Sequence, residues 1–226
     1  MLQPHFIAKL KKHNLMNKPI RNIIFDFGNV IINIDPDLTL QKFRNHGVNN
    51  FDEMYSLMRQ SDVVDRFDTG KIKLPEFRNA IREFTKVDLT DEQIDEAWCA
   101  MLFDFPEENV KLLQKLRAEG YRLYMLSNTN DLHIKYYTER LKQISGSDLL
   151  SELFDRSFYS YEIGYRKPNR EAYEYVLKAE GLKPAETLFI DDLEHNVIAA
   201  RQTGMQAYHH LKGDRLVDLF VQDSNI

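Results

Sequence analysis

The first clear pattern along the chain is a run of apolar residues with no polar alternation, Ile23-Ile24-Phe25, closed by Asp26 and, two positions on, Gly28. A strand buried on both faces needs no polar side and favours β-branched and aromatic residues, so this run predicts a central parallel strand with Asp26 at its carboxyl tip. Similar runs recur at 121–126, near 158–160, at 187–190 and at 205–208. Between them apolar residues return every three or four positions, which predicts helices over 106–119 (stopped by Gly120), 132–141, 169–180 and 196–203. Strand and helix alternating in this way imply an α/β fold, a Rossmann-like, doubly wound parallel sheet.

One interval departs from the alternation. From Leu38 to about Phe105 the apolar residues keep helical spacing without a strand-like run: Leu40, Phe43, Met54, Leu57 and Met58, then Phe77, Ile81 and Phe84, then Ile94, Trp98 and Met101. Asp35-Pro36-Asp37 opens this block, since proline turns the preceding residue out of the helical region and suits a first helical turn. Thr90-Asp91-Glu92-Gln93 has the pattern of a capping box. The chain therefore divides into an N-terminal extension (1–20), an α/β core (21–35 and 106–226) and an inserted all-helical unit (36–105). The extension carries Lys9, Lys11, Lys12 and Lys18 with no acid, and a short helix through Phe6, Ile7 and Leu10 is expected there. It lacks the long apolar centre of a secretory signal.

Composition narrows the function classes. Among 226 residues the formal net charge is −5, which argues against broad nucleic-acid binding. No apolar run approaches the roughly 20 residues that span a bilayer. The single cysteine, Cys99, can form no internal disulfide and, beside Trp98 on an amphipathic helix, reads as a packed thiol. A cytoplasmic protein without nucleic-acid or membrane partners is expected, as a monomer or weak homodimer.

The chemistry gathers at the strand ends. In order these carry Asp26, Ser127 with Asn128, Lys167 shortly after the third strand, and Asp191 with Asp192. Parallel strands bring their carboxyl ends to one edge, so residues far apart in sequence are expected in one pocket. Together they suit phosphoryl transfer. A carboxylate such as Asp26 can attack phosphorus and split a hard hydrolysis into two easier steps. Lys167 supplies a fixed positive charge, and Ser127 a hydroxyl and backbone N–H donors, for the phosphoryl oxygens. Mg2+, a hard ion that takes one or two carboxylates and a phosphate oxygen, would be held by Asp191 and Asp192, directly or through water, together with Asp26. Asn196, four positions after Asp192, is a candidate partner that orients the acid pair.

In this order the four segments resemble the motifs of the haloacid dehalogenase (HAD) superfamily: an apolar run then Asp26; an apolar run then Ser127-Asn128; Arg166-Lys167-Pro168; and Phe189-Ile190-Asp191-Asp192. The resemblance covers about 23–208 and implies a magnesium-dependent phosphatase whose helical insertion is a cap over a small phosphorylated substrate. The wording Asn29-Val30 and Gly164-Tyr165-Arg166-Lys167-Pro168 is nearest to the branch with a bacterial sugar-phosphate phosphatase and the phosphatase half of epoxide hydrolases. It further implies substrate contacts from Asn128 and Asn29 and a metal contact from the Gly28 carbonyl. Most phosphatases of the superfamily have an acid where this chain has Gly28, and that acid protonates the leaving oxygen; Gly28 cannot. The branch with Asp-x-Gly-Asn-Val shares the departure. Two alternatives follow from it: a 2-haloacid dehalogenase-type hydrolase, which needs neither that acid nor a metal, and a non-catalytic phosphate-binding regulatory protein.

Overall fold

The computed structural model describes residues 19–49, 53, 55–56, 61–103 and 105–220. The helix expected through Phe6, Ile7 and Leu10, and the positions Met54, Leu57 and Met58, lie outside the described residues. The chain runs from β1 (Asn22–Phe25) into α1 (Pro36–Asn45), α2 (Val63–Asp68), α3 (Leu74–Thr85), α4 (Asp91–Cys99) and α5 (Glu107–Ala118). It returns to the sheet as β2 (Arg122–Ser127), followed by α6 (Asp131–Ser145), α7 (Leu149–Leu153), β3 (Arg156–Tyr159), α8 (Ser160–Ile163) and α9 (Arg170–Ala179). Then come β4 (Thr187–Asp191), α10 (Glu194–Gln202) and β5 (Gln206–His209).

The strands form one sheet in the order β3-β2-β1-β4-β5, and every neighbouring pair is parallel. Ile23, Ile24 and Phe25 are fully buried because β1 is central and both its faces are covered. Successive side chains of a strand alternate in direction, and the packing follows that period. Ile23 and Phe25 join Leu113 and Leu116 of α5 with Phe154 and Phe220 on one face. Ile24 joins Tyr173 and Val176 of α9, Phe189 of β4 and Val197 and Ala200 of α10 on the other. Tyr173 and Phe189 meet edge to face at 5.4 Å, a favoured aromatic geometry.

Helices α1 to α4 occupy the interval between β1 and α5. The Asp35 carboxylate caps α1 by accepting from the Asp37 N–H at 3.0 Å. Thr90 and Gln93 form the reciprocal capping box of α4, with bonds of 2.9 and 3.2 Å. The apolar stripes face inward: Phe43, Phe77, Ile81, Ile94 and Trp98 are buried, and Phe67 stacks on Phe77 with ring centroids 4.1 Å apart. Cys99 is buried as well, and burial, reinforced by Asp95, pushes its thiol up to about 12, so it stays protonated and unreactive.

The first strand ends at Phe25 with Asp26 at its tip, as expected, and beyond it the Ile31 and Ile32 N–H groups both donate to the Phe27 carbonyl, at 2.9 and 3.0 Å, and fold the segment back. Several other boundaries differ from those expected. Ser160, expected at the end of the third strand, opens α8 instead. Helix α10 starts at Glu194, two positions before Asn196. Helices α7 and α8, of five and four residues, fill too little of a periodicity window to be seen in the pattern. Among the described residues no helix is long and apolar enough to cross a membrane.

Candidate active site

The parallel register aligns the strand tips. Phe25 lies opposite Met125 on one side and Ile190 on the other, so the residues that follow emerge together at the carboxyl edge. The Asp26 N–H donates to the Ile190 carbonyl at 2.8 Å, which fixes where β1 ends. Lys167 arrives from the segment after β3, and its Nζ donates to Asp26 Oδ1 at 2.6 Å and to Asp191 Oδ2 at 2.7 Å. These short, charge-assisted bonds join residues 141 and 24 positions apart. Carboxylate oxygens of Asp26, Asp191 and Asp192 all lie within 4.8 Å of one another. Ser127 closes β2, the strand paired with β1, and is buried.

Three carboxylates face a single buried ammonium, and the electrostatics record that imbalance. Burial alone would lower Lys167, but Asp191 and Asp26 outweigh it and hold the ammonium above its ordinary value. Asp26 is pushed up to about 7: burial is the largest cause, Lys167 opposes it, and Asp191 and Asp192 add to it. Asp192 is raised too, first by burial, with the bond from Asn29 opposing. A cluster of hard oxygen donors whose negative charge is under-compensated suits a divalent cation of the magnesium type.

The supporting residues lock this arrangement. Asp191 Oδ1 accepts from the Leu193 N–H and from Asn196 Nδ2, both at 2.9 Å, so Asn196 orients the acid. Asn29, with φ of +56°, adopts the left-handed conformation that asparagine tolerates. Its Nδ2 donates to Asp192 Oδ2 at 3.1 Å and its Oδ1 accepts from the Ile34 N–H at 3.3 Å, tying the loop after β1 to the loop after β4. Gly28 precedes Asn29 in the loop after β1; a Cβ there would come within 3.1 Å of Ile34 Cδ1. Asn128 directs both ends of its amide to the Lys167 peptide, accepting from its N–H and donating to its carbonyl, each at 2.8 Å.

How the helical insertion meets this edge could not be read from periodicity. Asp65 of α2 pairs with Arg166, next to Lys167. Asp68 of α2 accepts from Asn130 Nδ2 at 3.1 Å. Gly70, just past α2 and with φ of +69°, lies so close to α8 that a Cβ would overlap the Tyr161 carbonyl oxygen. Farther along, His133 Nε2 lies 3.0 Å from the Trp98 carbonyl oxygen, joining α6 to α4, and burial lowers this imidazole to about 4. Ser160, which bonds both the N–H and the carbonyl of Thr129 at 2.9 Å, was also missed in the sequence, although a hydroxyl at a strand tip is the signal that singled out Ser127.

The chain is similar to known proteins in sequence and in backbone. A family model described as haloacid dehalogenase-like hydrolase matches residues 20–204. A D-ribitol-5-phosphate phosphatase from Bacteroides thetaiotaomicron is 29% identical over 194 residues, which covers 86% of this chain and 93% of that protein. A glyceraldehyde 3-phosphate phosphatase from Methanocaldococcus jannaschii is 33% identical over 115 residues, 50% of this chain and 47% of its own length. A solved HAD family enzyme from Bacteroides thetaiotaomicron, in complex with magnesium and inorganic phosphate, superposes with a TM-score of 0.82 at 34% identity, covering 89% of this chain and 100% of that one. Matched over most of its length in sequence and in backbone, the chain belongs to the haloacid dehalogenase-like hydrolase family.

Proposed function

We propose that the protein is a magnesium-dependent phosphomonoesterase acting on a small phosphorylated metabolite, of the sugar- or polyol-phosphate class, through a phosphoryl group carried on Asp26. The observation that carries this is the Lys167 ammonium held between Asp26 and Asp191 with Asp192 alongside, a charge arrangement suited to a phosphoryl group and its counter-ion. The phosphatases and the magnesium–phosphate complex among its relatives support it.

Asp26 attacks phosphorus, forming a bond from its carboxylate oxygen while the bond to the ester oxygen breaks. With no side chain at Gly28, the departing alkoxide takes its proton from water. Water then attacks the phosphoryl-aspartate, the bond to the Asp26 oxygen breaks, and inorganic phosphate leaves. Lys167 uses two of its three donors on Asp26 and Asp191, and its charge offsets that of the phosphoryl oxygens. Ser127 contributes its hydroxyl. Asp26, Asp191, Asp192 and the Gly28 carbonyl would hold the metal, with Asn196 and Asn29 orienting the acids; when bound, the ion supplies the positive charge the carboxylates lack. The 36–105 insertion acts as the cap, its 65–70 segment packed on the loops that follow β2 and β3.

The test is a panel of sugar, polyol and nucleoside monophosphates and flavin mononucleotide, assayed with magnesium for wild type and Asp26→Asn. Phosphate release by wild type and loss of at least about a thousandfold in the variant are expected. Turnover that survives Asp26→Asn, or halide release from a 2-halo acid in excess chelator, overturns the assignment.

A further inference from the structure

Two side-chain brackets join the loop after β2 to the segment that carries Lys167. The first is Asn128, whose single amide satisfies both the N–H and the carbonyl of Lys167, as the peptide of an adjacent strand would. The second runs in the opposite direction. Ser160, fully buried at the start of α8, accepts from the Thr129 N–H and donates to the Thr129 carbonyl, both at 2.9 Å. Thus the loop after β2 grips the segment after β3 through Asn128, and the segment after β3 grips the loop after β2 through Ser160. Four hydrogen bonds of 2.8–2.9 Å couple the two where no strand pairing continues.

We propose that Asn128 and Ser160 are positioning residues that set the height of the Lys167 backbone, and so of its ammonium, between Asp26 and Asp191. The inference rests on the phosphatase assignment above. It assigns Asn128 a duty different from a substrate contact. The 160–167 segment reaches the site from the β3 end of the sheet, yet the ammonium meets its two acids at 2.6 and 2.7 Å. Distances that short leave little slack, and misplacing a reacting or stabilising group by about 1 Å costs about a hundredfold in rate. Both brackets end on main-chain atoms, those of Lys167 for Asn128 and those of Thr129 for Ser160, so Asn128 acts on Lys167 directly and Ser160 through the segment between them, whatever the leaving group of the substrate.

That last point separates positioning from recognition. For wild type, Asn128→Ala, Ser160→Ala, Lys167→Met and the Asn128→Ala/Lys167→Met double variant, kcat and KM are measured on two phosphate esters with dissimilar leaving groups. Asn128→Ala is expected to lower kcat about 10- to 100-fold by the same factor on both esters, with KM held within about twofold. Ser160→Ala is expected to do the same more weakly. In the Lys167→Met background, Asn128→Ala should change kcat by less than about twofold, because its effect passes through an ammonium no longer there. A loss that differs between esters, a rise in KM at constant kcat, or losses that multiply in the double variant overturn the proposal. Nuclear magnetic resonance of the Lys167 ammonium in the metal-free protein decides the matter independently of turnover and of whether Lys167→Met folds. A signal protected from exchange in wild type and shifted or lost in Asn128→Ala is expected; an unmoved signal refutes the positioning role. If wild type hydrolyses neither ester while that signal still moves, the phosphatase assignment fails and the bracket stands.

Discussion

Replacing the proposed nucleophile should make the metal-free protein more stable. Asp26 is buried among carboxylates, and moving it from its ordinary 3.8 to about 7 means that the folded protein holds its proton more tightly than the unfolded chain does. A group with that sign destabilises the fold as pH rises from about 4 to about 7, because the unfolded chain releases the proton first. At about 1.4 kcal/mol for each pH interval, the cost at pH 7 and above has a ceiling of about 4 kcal/mol. Asp26→Asn removes the charge and keeps an oxygen for Lys167 Nζ. Taking half the ceiling, and about 2–4 °C per kcal/mol for a chain of this size, Tm in chelator should rise about 4–8 °C at pH 8. The gain should shrink toward pH 5, and magnesium should narrow it by binding wild type better. Thermal unfolding of both proteins at pH 5, 6, 7 and 8, with chelator and with magnesium, measures this. An Asp26→Asn protein no more stable than wild type at pH 8 in chelator, or a gain that ignores pH, refutes the electrostatic account of the cluster.

Gly70→Ala forces a Cβ onto the Tyr161 carbonyl oxygen at a residue with φ of +69°; it should raise KM more than it lowers kcat and cost about 1–3 kcal/mol of stability, read by steady-state kinetics and denaturant unfolding. His133, lowered to about 4 by burial, must stay neutral in the fold, so wild type should lose up to about 3 kcal/mol as pH falls from 6.5 to 4, and His133→Gln should flatten that part of the stability–pH curve. Gly28→Asp supplies a carboxyl at the place where the superfamily resemblance implies one, with its Cβ 3.1 Å from Ile34 Cδ1; it should raise kcat on an alkyl phosphate by about tenfold or more and change turnover of an aryl phosphate, whose leaving group needs no proton, far less. Equal effects on the two esters would contradict the assignment of Gly28 as a missing acid.

The parts of the site legible in the sequence are those that a strand's own period places. Ile23 to Phe25 and Leu188 to Ile190 read as buried strands, so their pattern alone puts Asp26 and Asp191 at one edge. The two-faced packing of β1 was implied in the same way by its lack of polar positions. What could not be read are bonds that end on main chain or cross between elements. The carbonyl and N–H of Lys167 carry no residue-type signature, so the two bonds of the Asn128 amide to that peptide had no signal in the sequence. Asp65 and Asp68 lie on a helix whose periodicity says which face they share. It is silent on their partners Arg166 and Asn130, 101 and 62 positions away. Ser160 offered the same signal as Ser127, a hydroxyl at a strand tip, and was hidden because a four-residue helix has no period of its own.

The most direct measurement is to quench the enzyme with acid during turnover of a phosphate ester with magnesium, digest it, and locate any phosphoryl group by mass spectrometry. The account predicts a phosphoryl group on the peptide containing Asp26, absent without substrate and absent from Asp26→Asn. Sustained phosphate release with no label on that peptide, or a label on another residue, would contradict it.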